Sequence, residues 1–284
     1  MAVKIVDCRK IAEKISKSVA FEIEKLKLKY HITPNITTIN IGRNLESNVY
    51  LRLRNIACEK VGIKTNNIEI QENVSEEEVN NLILKLNDNK KVHGILIQFP
   101  IPKHLSSDKL INSLNPKKDV EGLTPYNIGR TLLGDEYIVP CTPLAVLKIL
   151  EEEKTRIQGK DVVIVNHSNI VGKPLSALFL NRNATVSITH VFTKDLKKYT
   201  EGADILVAAS GVPKLIKKEH VKTNSFIVDV GIIKTSEGII GDVDFKSVKN
   251  IAGKITPVPG GVGPVTIACS IVNMAKTFRN CIEK

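Results

Sequence analysis

The sequence predicts an α/β protein made of two domains, each built on a parallel sheet. Two observations lead to this fold class. The chain has 284 residues and 42% hydrophobic side chains, which is enough to bury one large core or two modest ones. In both halves, short apolar or β-branched runs alternate with helical patterns, and this alternation is typical of parallel sheets with crossover helices. A domain boundary is expected near residue 140.

The first half contains the patterns of three helices and three strands. The predicted helices cover 9–30, 46–61 and 75–87. The predicted strands cover 37–41, 63–70 and 94–99. Gly62 suits the left-handed end of the second helix, and Ser75 with Glu78 forms a capping box at the start of the third. Gln98 stands at the carboxyl end of a strand, where the ligands of parallel sheets gather.

The second half repeats this alternation after a connecting segment. Residues 112–134 are predicted as a loop, and Thr142-Pro143 begins a helix that reaches about Glu153. Four short strands are predicted, at 162–165, 185–189, 205–209 and 226–230. A loop rich in Gly and Pro, 256–264, precedes a final helix over about 263–281. This pattern is typical of a nucleotide-binding sheet.

Composition argues against several classes of protein. The formal charge of +11 would suit a nucleic-acid partner, but aromatic residues are only 4%, Trp is absent and the lysines are spread along the chain. We find no apolar run of membrane-spanning length and no signal peptide, so a cytoplasmic protein without a membrane partner is expected. The five cysteines form no C-x-x-C pair and are expected to be reduced packing residues.

The segment V-V-I-V-N-H-S-N-I-V-G-K-P, residues 162–174, runs from strand through loop into helix. The N-terminus of such a helix offers free N–H groups and a positive dipole to a pyrophosphate. Of the usual glycine fingerprint only Gly172 remains, so an ordinary strand-to-helix turn is the competing interpretation. His167 and His190 lack a metal-ligand spacing, and we interpret them as loop or cofactor-edge residues.

A second cluster combines Ser47, Asn48 and Tyr50 with Arg54 one helical turn further on. Tyr50 and Arg54 share a helix face and could orient a flat heterocycle, or they could form an exposed Arg–Tyr stack. A third cluster is K-D-V-E-G, residues 118–122. Its Asp119 and Glu121 would ordinarily be turn and solvent groups rather than catalytic carboxylates.

Together these segments resemble the methylenetetrahydrofolate dehydrogenase/cyclohydrolase family. Six motifs carry the resemblance, in order along almost the whole chain: S-x-x-Y (47–50), G-I-L-I-Q-F-P (94–100), K-D-V-E-G (118–122), P-C-T-P (140–143), S-N-I-V-G-K-P (168–174) and T-P-V-P-G-G-V-G-P (256–264). The last motif is very specific. No metal is implied.

The resemblance implies two α/β domains that flank a substrate cleft. A folate-binding catalytic domain would comprise 1–140 with the last helix, about 264–284, and 141–263 would form a Rossmann-like NAD(P)-binding domain. It further implies a homodimer and a role for each matched residue. Tyr50 would stack on the substrate, Gln98 would hydrogen-bond near the catalytic cation, and Glu121 would hold the pterin. Further substrate residues would be Pro259, Gly260 and Gly261, and the cofactor residues would be Asn166, His167, Ser168, Gly172 and Ile232.

Two positions depart from the family pattern in the substrate site. The family carries lysine at position 54 and aspartate at position 121, where this chain has Arg54 and Glu121. A guanidinium stays protonated and cannot act as a base, whereas hydride transfer needs chiefly placement. We therefore expect oxidation of methylenetetrahydrofolate to be retained and hydrolysis of the methenyl product to be weak. A catalytically impaired homologue with a regulatory role is the alternative, and a shikimate-type dehydrogenase is a more distant rival.

The cofactor site also departs from the family pattern. Asn166-His167 and Val191 stand where relatives place groups that meet the 2'-phosphate of NADP, and valine supplies neither a cation nor a hydroxyl donor. The prevalence of NADP in the family implies NADP, whereas these residues favour NAD. The basic surface suits polyglutamylated folate as the substrate.

Overall fold

The structure is a computed structural model that describes residues 3–42, 45–236 and 238–283. The side chains of residues 45–48, including the predicted site residues Ser47 and Asn48, lie outside the described part. The helices are α1 Cys8–Tyr30, α2 Leu45–Lys60, α3 Glu76–Asp88, α4 Ser107–Asn112, α5 Pro125–Leu132, α6 Cys141–Glu152, α7 Gly172–Leu180, α8 Lys197–Thr200, α9 Phe245–Val248 and α10 Val262–Ile282. The strands are β1 Lys4–Ile5, β2 Asn35–Ile41, β3 Lys64–Ile70, β4 Gly94–Ile97, β5 Asp161–Val165, β6 Thr185–Thr189, β7 Ile205–Ala208, β8 Phe226–Asp229, β9 Ile233–Thr235, β10 Gly238–Ile240 and β11 Lys254–Ile255.

The chain divides into two compact units. The first unit consists of Glu13–Arg130, Glu136–Cys141 and Ile267–Lys284. The second unit consists of Met1–Ala12, Thr131–Asp135 and Thr142–Thr266. Both are α/β units with parallel sheets, which confirms the fold class predicted from the sequence.

The first unit is built on a three-stranded parallel sheet in the order β3-β2-β4. The central strand β2 is buried along almost its whole length, as expected for a strand covered on both faces. One core cluster packs α1 and the last helix on the sheet through Ile23, Ile36 and Phe278. A second packs α3 on it through Ile39, Ile83 and Ile95. Helix α3 begins with the predicted capping box of Ser75 and Glu78.

The second unit is built on a six-stranded parallel sheet in the order β1-β11-β8-β7-β5-β6. Strand β5 lies between β6 and β7, so the loops that follow β5 and β7 leave the same edge of the sheet side by side. Strands β9 and β10 form a separate antiparallel pair. Strand β1, which the sequence did not predict, pairs with β11 at the opposite end of the chain.

One part of the secondary-structure prediction was wrong. Residues 112–134 were predicted as a loop, but they contain helix α5, and helix α4 just before them was also missed. Both begin with ordinary signals: Ser106 caps α4, and Pro125 occupies the first position of α5. Among the described residues, no helix is long and apolar enough to cross a membrane.

Candidate active site

Arg54 is the most deeply buried charged residue of the first unit's candidate site. It lies on α2, its side chain has no exposed surface, and its Nη2 donates a hydrogen bond of 2.6 Å to Thr38 Oγ1 on β2. The exposed Arg–Tyr stack considered from the sequence is therefore wrong. Its Nε and Nη1 have no hydrogen-bond partner among the described residues. Buried donors without partners are rare in proteins, so these two point to a polar group that a ligand or water supplies.

Gln98 follows β4 directly, at the carboxyl end of the sheet as predicted. Its backbone N–H donates to Ile39 O (2.9 Å), and its side-chain Nε2 donates to Phe99 O (3.0 Å). The side-chain Oε1 is buried and has no partner within the described part of the chain. The amide is thus held by its nitrogen while its oxygen stays available as an acceptor.

Glu121 and Tyr50 belong to the same electrostatic environment as Arg54. Burial raises the pKa of Glu121; the positive charge of Arg54 acts in the opposite direction, and the carboxylate of Asp119 adds to the rise. Burial also raises the pKa of Tyr50 well above its ordinary value, with a further contribution from Glu121. The structure therefore brings Tyr50, Arg54 and Glu121 within electrostatic reach of one another.

Asp119 is a turn residue, as the sequence predicted, but a buried one. It is 1% exposed, so the interpretation as a solvent group was wrong. Its Oδ1 accepts the N–H of Gly122 (2.9 Å), and its Oδ2 accepts the N–H of Thr124 (2.8 Å) and the Nδ2 of Asn127 (2.9 Å). Asp119 thereby fixes the turn that presents Glu121.

Lys118 anchors the same turn to helix α3. Its buried ammonium donates to the carbonyl oxygens of Leu86, Asn87 and Asn89 at 2.6 to 3.2 Å, which are end groups that the helix leaves unpaired. Gly122 closes the turn with φ +70, and a Cβ there would lie 2.8 Å from the carbonyl carbon of Val139. K-D-V-E-G is therefore a rigid turn that supports the side chain of Glu121.

In the second unit, the loop after β5 is held by hydrogen bonds between its own residues. Asn166 Oδ1 accepts the N–H groups of Ser168 (2.7 Å) and Gly172 (3.0 Å), and Asn166 Nδ2 donates to Ala209 O (2.7 Å). The N–H groups of Val171 and Lys173 bond to Ser168, so the free N–H groups predicted at this helix start are in fact occupied. Gly172 is required because a Cβ there would lie 2.1 Å from Asn166 O.

The residues expected near the adenosine end are on the surface. His167 and His190 are exposed, and their ring centroids lie 4.8 Å apart. Val191 is 84% exposed and follows His190 directly. The structure thus brings the two histidines together at the end of the edge strand β6. No group of three or more His, Cys, Asp or Glu that could hold a metal occurs in the part of the chain that the structure describes.

Ile232, Pro259, Gly260 and Gly261 line one cavity of about 90 Å³ in the second unit. The sequence assigned the first of these to the cofactor and the other three to the substrate. Gly260 has φ +90, a conformation that favours glycine. A Cβ on Gly261 would lie 2.1 Å from Pro257 O, so the backbone of this loop folds closely on itself.

The second unit carries close-packed glycine loops at the carboxyl edge of its parallel sheet, and the first unit places Arg54, Gln98 and Glu121 near its own sheet. Such an arrangement is typical of two-unit dinucleotide-dependent enzymes. Comparison with known proteins identifies the family. Residues 6–121 match the model of the tetrahydrofolate dehydrogenase/cyclohydrolase catalytic domain, and residues 140–282 match that of its NAD(P)-binding domain. The chain therefore belongs to the tetrahydrofolate dehydrogenase/cyclohydrolase family, as the sequence motifs predicted.

Individual relatives agree with this membership. The chain is 47% identical over 281 residues to the bifunctional protein FolD of Methanosarcina mazei, covering 99% of this chain and 96% of that one. A crystal structure of the bifunctional enzyme FolD from Campylobacter jejuni is 41% identical, with a TM-score of 0.95 and coverage of 98% and 99%. The Trypanosoma brucei enzyme, solved with NADP cofactor and inhibitor, is 31% identical, with a TM-score of 0.95 over 100% of both chains.

Proposed function

We propose that this chain oxidises 5,10-methylenetetrahydrofolate to 5,10-methenyltetrahydrofolate with NAD(P)+. The observation that carries the proposal is a pair of buried polar side chains at the first unit's sheet, Arg54 and Gln98, with Tyr50 and Glu121 in the electrostatic environment of Arg54. Arg54 Nε and Nη1 and Gln98 Oε1 have no partner among the described residues, which favours a polar ligand there. An assay that follows reduced dinucleotide and methenyl product on adding methylenetetrahydrofolate tests it, and absence of both would contradict it.

Hydride transfer asks the protein mainly for placement. The methylene carbon loses a hydrogen with both electrons of its C–H bond, the dinucleotide supplies the acceptor for that hydride, and the folate is left with a positive charge shared by its two nitrogens. Glu121 would hold the pterin ring through hydrogen bonds, Tyr50 would stack on the substrate, and Gln98 Oε1 would face the cation. Burial around these groups excludes water and strengthens their electrostatic interactions.

The residues of the second unit fit a dinucleotide. The loop after β5, with Asn166, Ser168 and Gly172, would face the pyrophosphate. It would do so through the positive end of the helix dipole, because its N–H groups at 171–173 are already bonded. Ile232 with Pro259, Gly260 and Gly261 would line the nicotinamide and folate end, since all four border one cavity. A bound headgroup there would rest on backbone rather than on long side chains.

We further propose that hydrolysis of methenyltetrahydrofolate is weak in this chain. A guanidinium does not serve as a general base, and that of Arg54 already donates to Thr38, so it offers positive charge but no base. Hydrolysis is expected to be at least about tenfold slower than hydride transfer, and Arg54→Lys to raise it about tenfold or more, because an ammonium can lose its proton when buried. Arg52→Lys, at an exposed position of the same helix, is the matched control. Comparable hydrolysis and oxidation by the unaltered chain would refute this.

For the cofactor, we propose that NAD is used in addition to NADP. The exposed Val191 supplies no donor for a 2'-phosphate, and the neighbouring position 167 carries an imidazole rather than a guanidinium. The ratio of kcat/KM for the two dinucleotides tests this directly. A strong preference for NADP would refute it.

The remaining expectations concern partners and location. We propose a homodimer in the cytoplasm that accepts polyglutamylated folate, with the charge of +11 favouring a polyanionic tail. Sedimentation tests the dimer, and affinities for mono- and polyglutamate forms at rising salt test the tail; equal affinities at low salt would remove it. The impaired homologue is not proposed, because the relatives described above carry the names of bifunctional enzymes.

A further inference from the structure

Two aspartates that the proposed mechanism does not use lie buried beneath the loops of the second unit. Asp242 is completely buried. Its Oδ2 accepts hydrogen bonds from the backbone N–H and the hydroxyl of Ser210 and from the N–H of Gly211 (3.1 Å). Ser210 and Gly211 form the loop that follows β7. One carboxylate oxygen therefore fixes that loop through three donors.

Asp229, at the end of β8, accepts hydrogen bonds from a second set of backbone N–H groups. Its Oδ1 accepts the N–H of Gly231 and of Asp242, and its Oδ2 accepts the N–H of Val243, each at 3.0 Å. Its own N–H donates to Thr256 Oγ1 at 2.8 Å. The first bond holds the loop that contains Ile232, and the last holds the start of the 256–264 loop.

The two carboxylates are thus parts of one connected node. The backbone N–H of Asp242 binds Asp229 while the side chain of Asp242 binds the β7 loop, so the position of each loop depends on the other. Thr256 joins the third loop to this node, and Asn166 Nδ2, by binding Ala209 O, joins the loop after β5. The node spans the carboxyl edge of the sheet from β5 to β8.

Two glycines of the node pack directly against the carboxylate oxygens. A Cβ on Gly231 would lie 2.2 Å from Asp242 Oδ1, and one on Gly241 would lie 1.9 Å from Asp229 Oδ2. Because the carboxylates touch the loop backbones directly, any change in their shape moves Gly231 and, with it, Ile232. Ile232 and the 257–261 backbone line the same cavity.

We propose that Asp229 and Asp242 are positioning residues that set the three loops into the geometry that binds the dinucleotide headgroup. This rests on the proposed function. The pair acts through the N–H groups of residues 210, 211, 231 and 243 and through Thr256. Removing it loosens the rim that faces the headgroup while leaving the folate residues of the first unit unaffected.

The test compares Asp242→Ala with Asp242→Asn in the full chain. Hydrogen bonds to a charged acceptor contribute about 1.5–3 kcal/mol, so Asp242→Ala is expected to weaken binding of NADH and NADPH by about 10- to 100-fold, followed by fluorescence titration. KM for the dinucleotide rises by the same factor, while the Kd for tetrahydrofolate changes by a smaller factor, because Tyr50, Gln98 and Glu121 of the first unit keep their contacts. Asp242→Asn keeps one acceptor oxygen and restores most of the affinity. Asp161→Ala, an exposed aspartate at the amino end of β5, is the matched control.

Several outcomes overturn the proposal. One is a folded Asp242→Ala protein that binds both dinucleotides as the unaltered chain does. Another is a parallel fall in dinucleotide affinity, folate affinity and melting temperature, which marks a merely structural role. If Asp242→Ala does not fold, Ser210→Ala removes the hydroxyl that donates to Asp242 and accepts the N–H of Val212 (3.2 Å), and it is expected to weaken dinucleotide binding about three- to tenfold; no effect there overturns the proposal. Failure of the unaltered chain to bind either dinucleotide contradicts the proposed function itself.

Discussion

In the first unit the candidate site is made of charged and amide side chains, whereas in the second it is made largely of backbone. Arg54, Gln98 and Glu121 carry the polar groups of the first. Gly172, Gly231 and Gly261 let main-chain segments approach one another in the second. Each unit is therefore expected to be most sensitive to a different kind of substitution. Removing a charge should damage the first unit, and adding a single methyl group should damage the second.

The substitution Gly231→Ala is expected to have the largest effect on the second unit. The added methyl would lie 2.2 Å from Asp242 Oδ1, and such overpacking is expected to cost about 3 kcal/mol or more. Dinucleotide affinity should fall about 100-fold, with folate affinity little changed. Gly202→Ala is the control, because a Cβ there has nothing within 4 Å. Equal effects of the two substitutions on affinity and on chemical denaturation would contradict the comparison.

The pH dependence of stability separates the units next. His93 in the first unit is buried, its Nδ1 accepts the N–H of Asn35 (3.1 Å), and burial lowers its pKa from 6.5 to about 4. The unfolded chain therefore binds more protons between pH 6.5 and 4, and stability falls as pH drops through that window. The loss from pH 7 to pH 4 is expected to be about 2 to 3 kcal/mol.

His93→Asn keeps an acceptor near the Nδ1 position and removes this contribution. Denaturation of both proteins at pH 7 and pH 4 measures the difference, and identical pH dependence of the two would rule the effect out. Asp229 in the second unit has the opposite sign: burial raises its pKa from 3.8 to about 7, so its contribution to stability is lost as pH rises through that value.

The substitution Glu121→Gln tests whether removal of one charge damages the candidate site of the first unit. Loss of the charge is expected to lower kcat/KM for the folate about thirtyfold, equivalent to about 2 kcal/mol, with dinucleotide affinity unchanged. Because burial raises the pKa of Glu121, lowering the pH should reduce the activity of the unaltered enzyme at a higher pH than an ordinary carboxyl would give. The variant should lack this acidic side of the pH–activity profile. Glu77→Gln on the exposed start of α3 is the control. A variant with wild-type kcat/KM would show that this carboxylate does not hold the pterin.

Strands β2 to β8 and the long helices were predictable because their periodicity is local. Strand β2 and helix α3 carry their burial pattern in the residues themselves. Helices α4 and α5 were missed because turn-forming residues surround them and outweighed the signals of Ser106 and Pro125. The pairing of β1 could not be predicted, since a two-residue strand has no periodicity and its partner lies far along the chain.

The sequence predicted which residues form the candidate site but not their burial or their hydrogen-bond partners. The motifs named Arg54, Gln98 and Glu121, but the burial of Arg54 depends on how α2 packs on β2, which no local pattern encodes. The supporting residues were missed for the same reason. Lys118 binds a helix end about 30 residues away, and Asp229 binds residues 242 and 243, so only the folded chain reveals what these side chains do.

The pairing of β1 with β11 has a consequence for synthesis. The ribosome makes Lys4 and Ile5 about 250 residues before their partners Lys254 and Ile255. During translation this edge of the larger sheet therefore stays unpaired for a long time, and it forms late in folding. Synthesis of β11, rather than of β1, decides when the six strands can all pair.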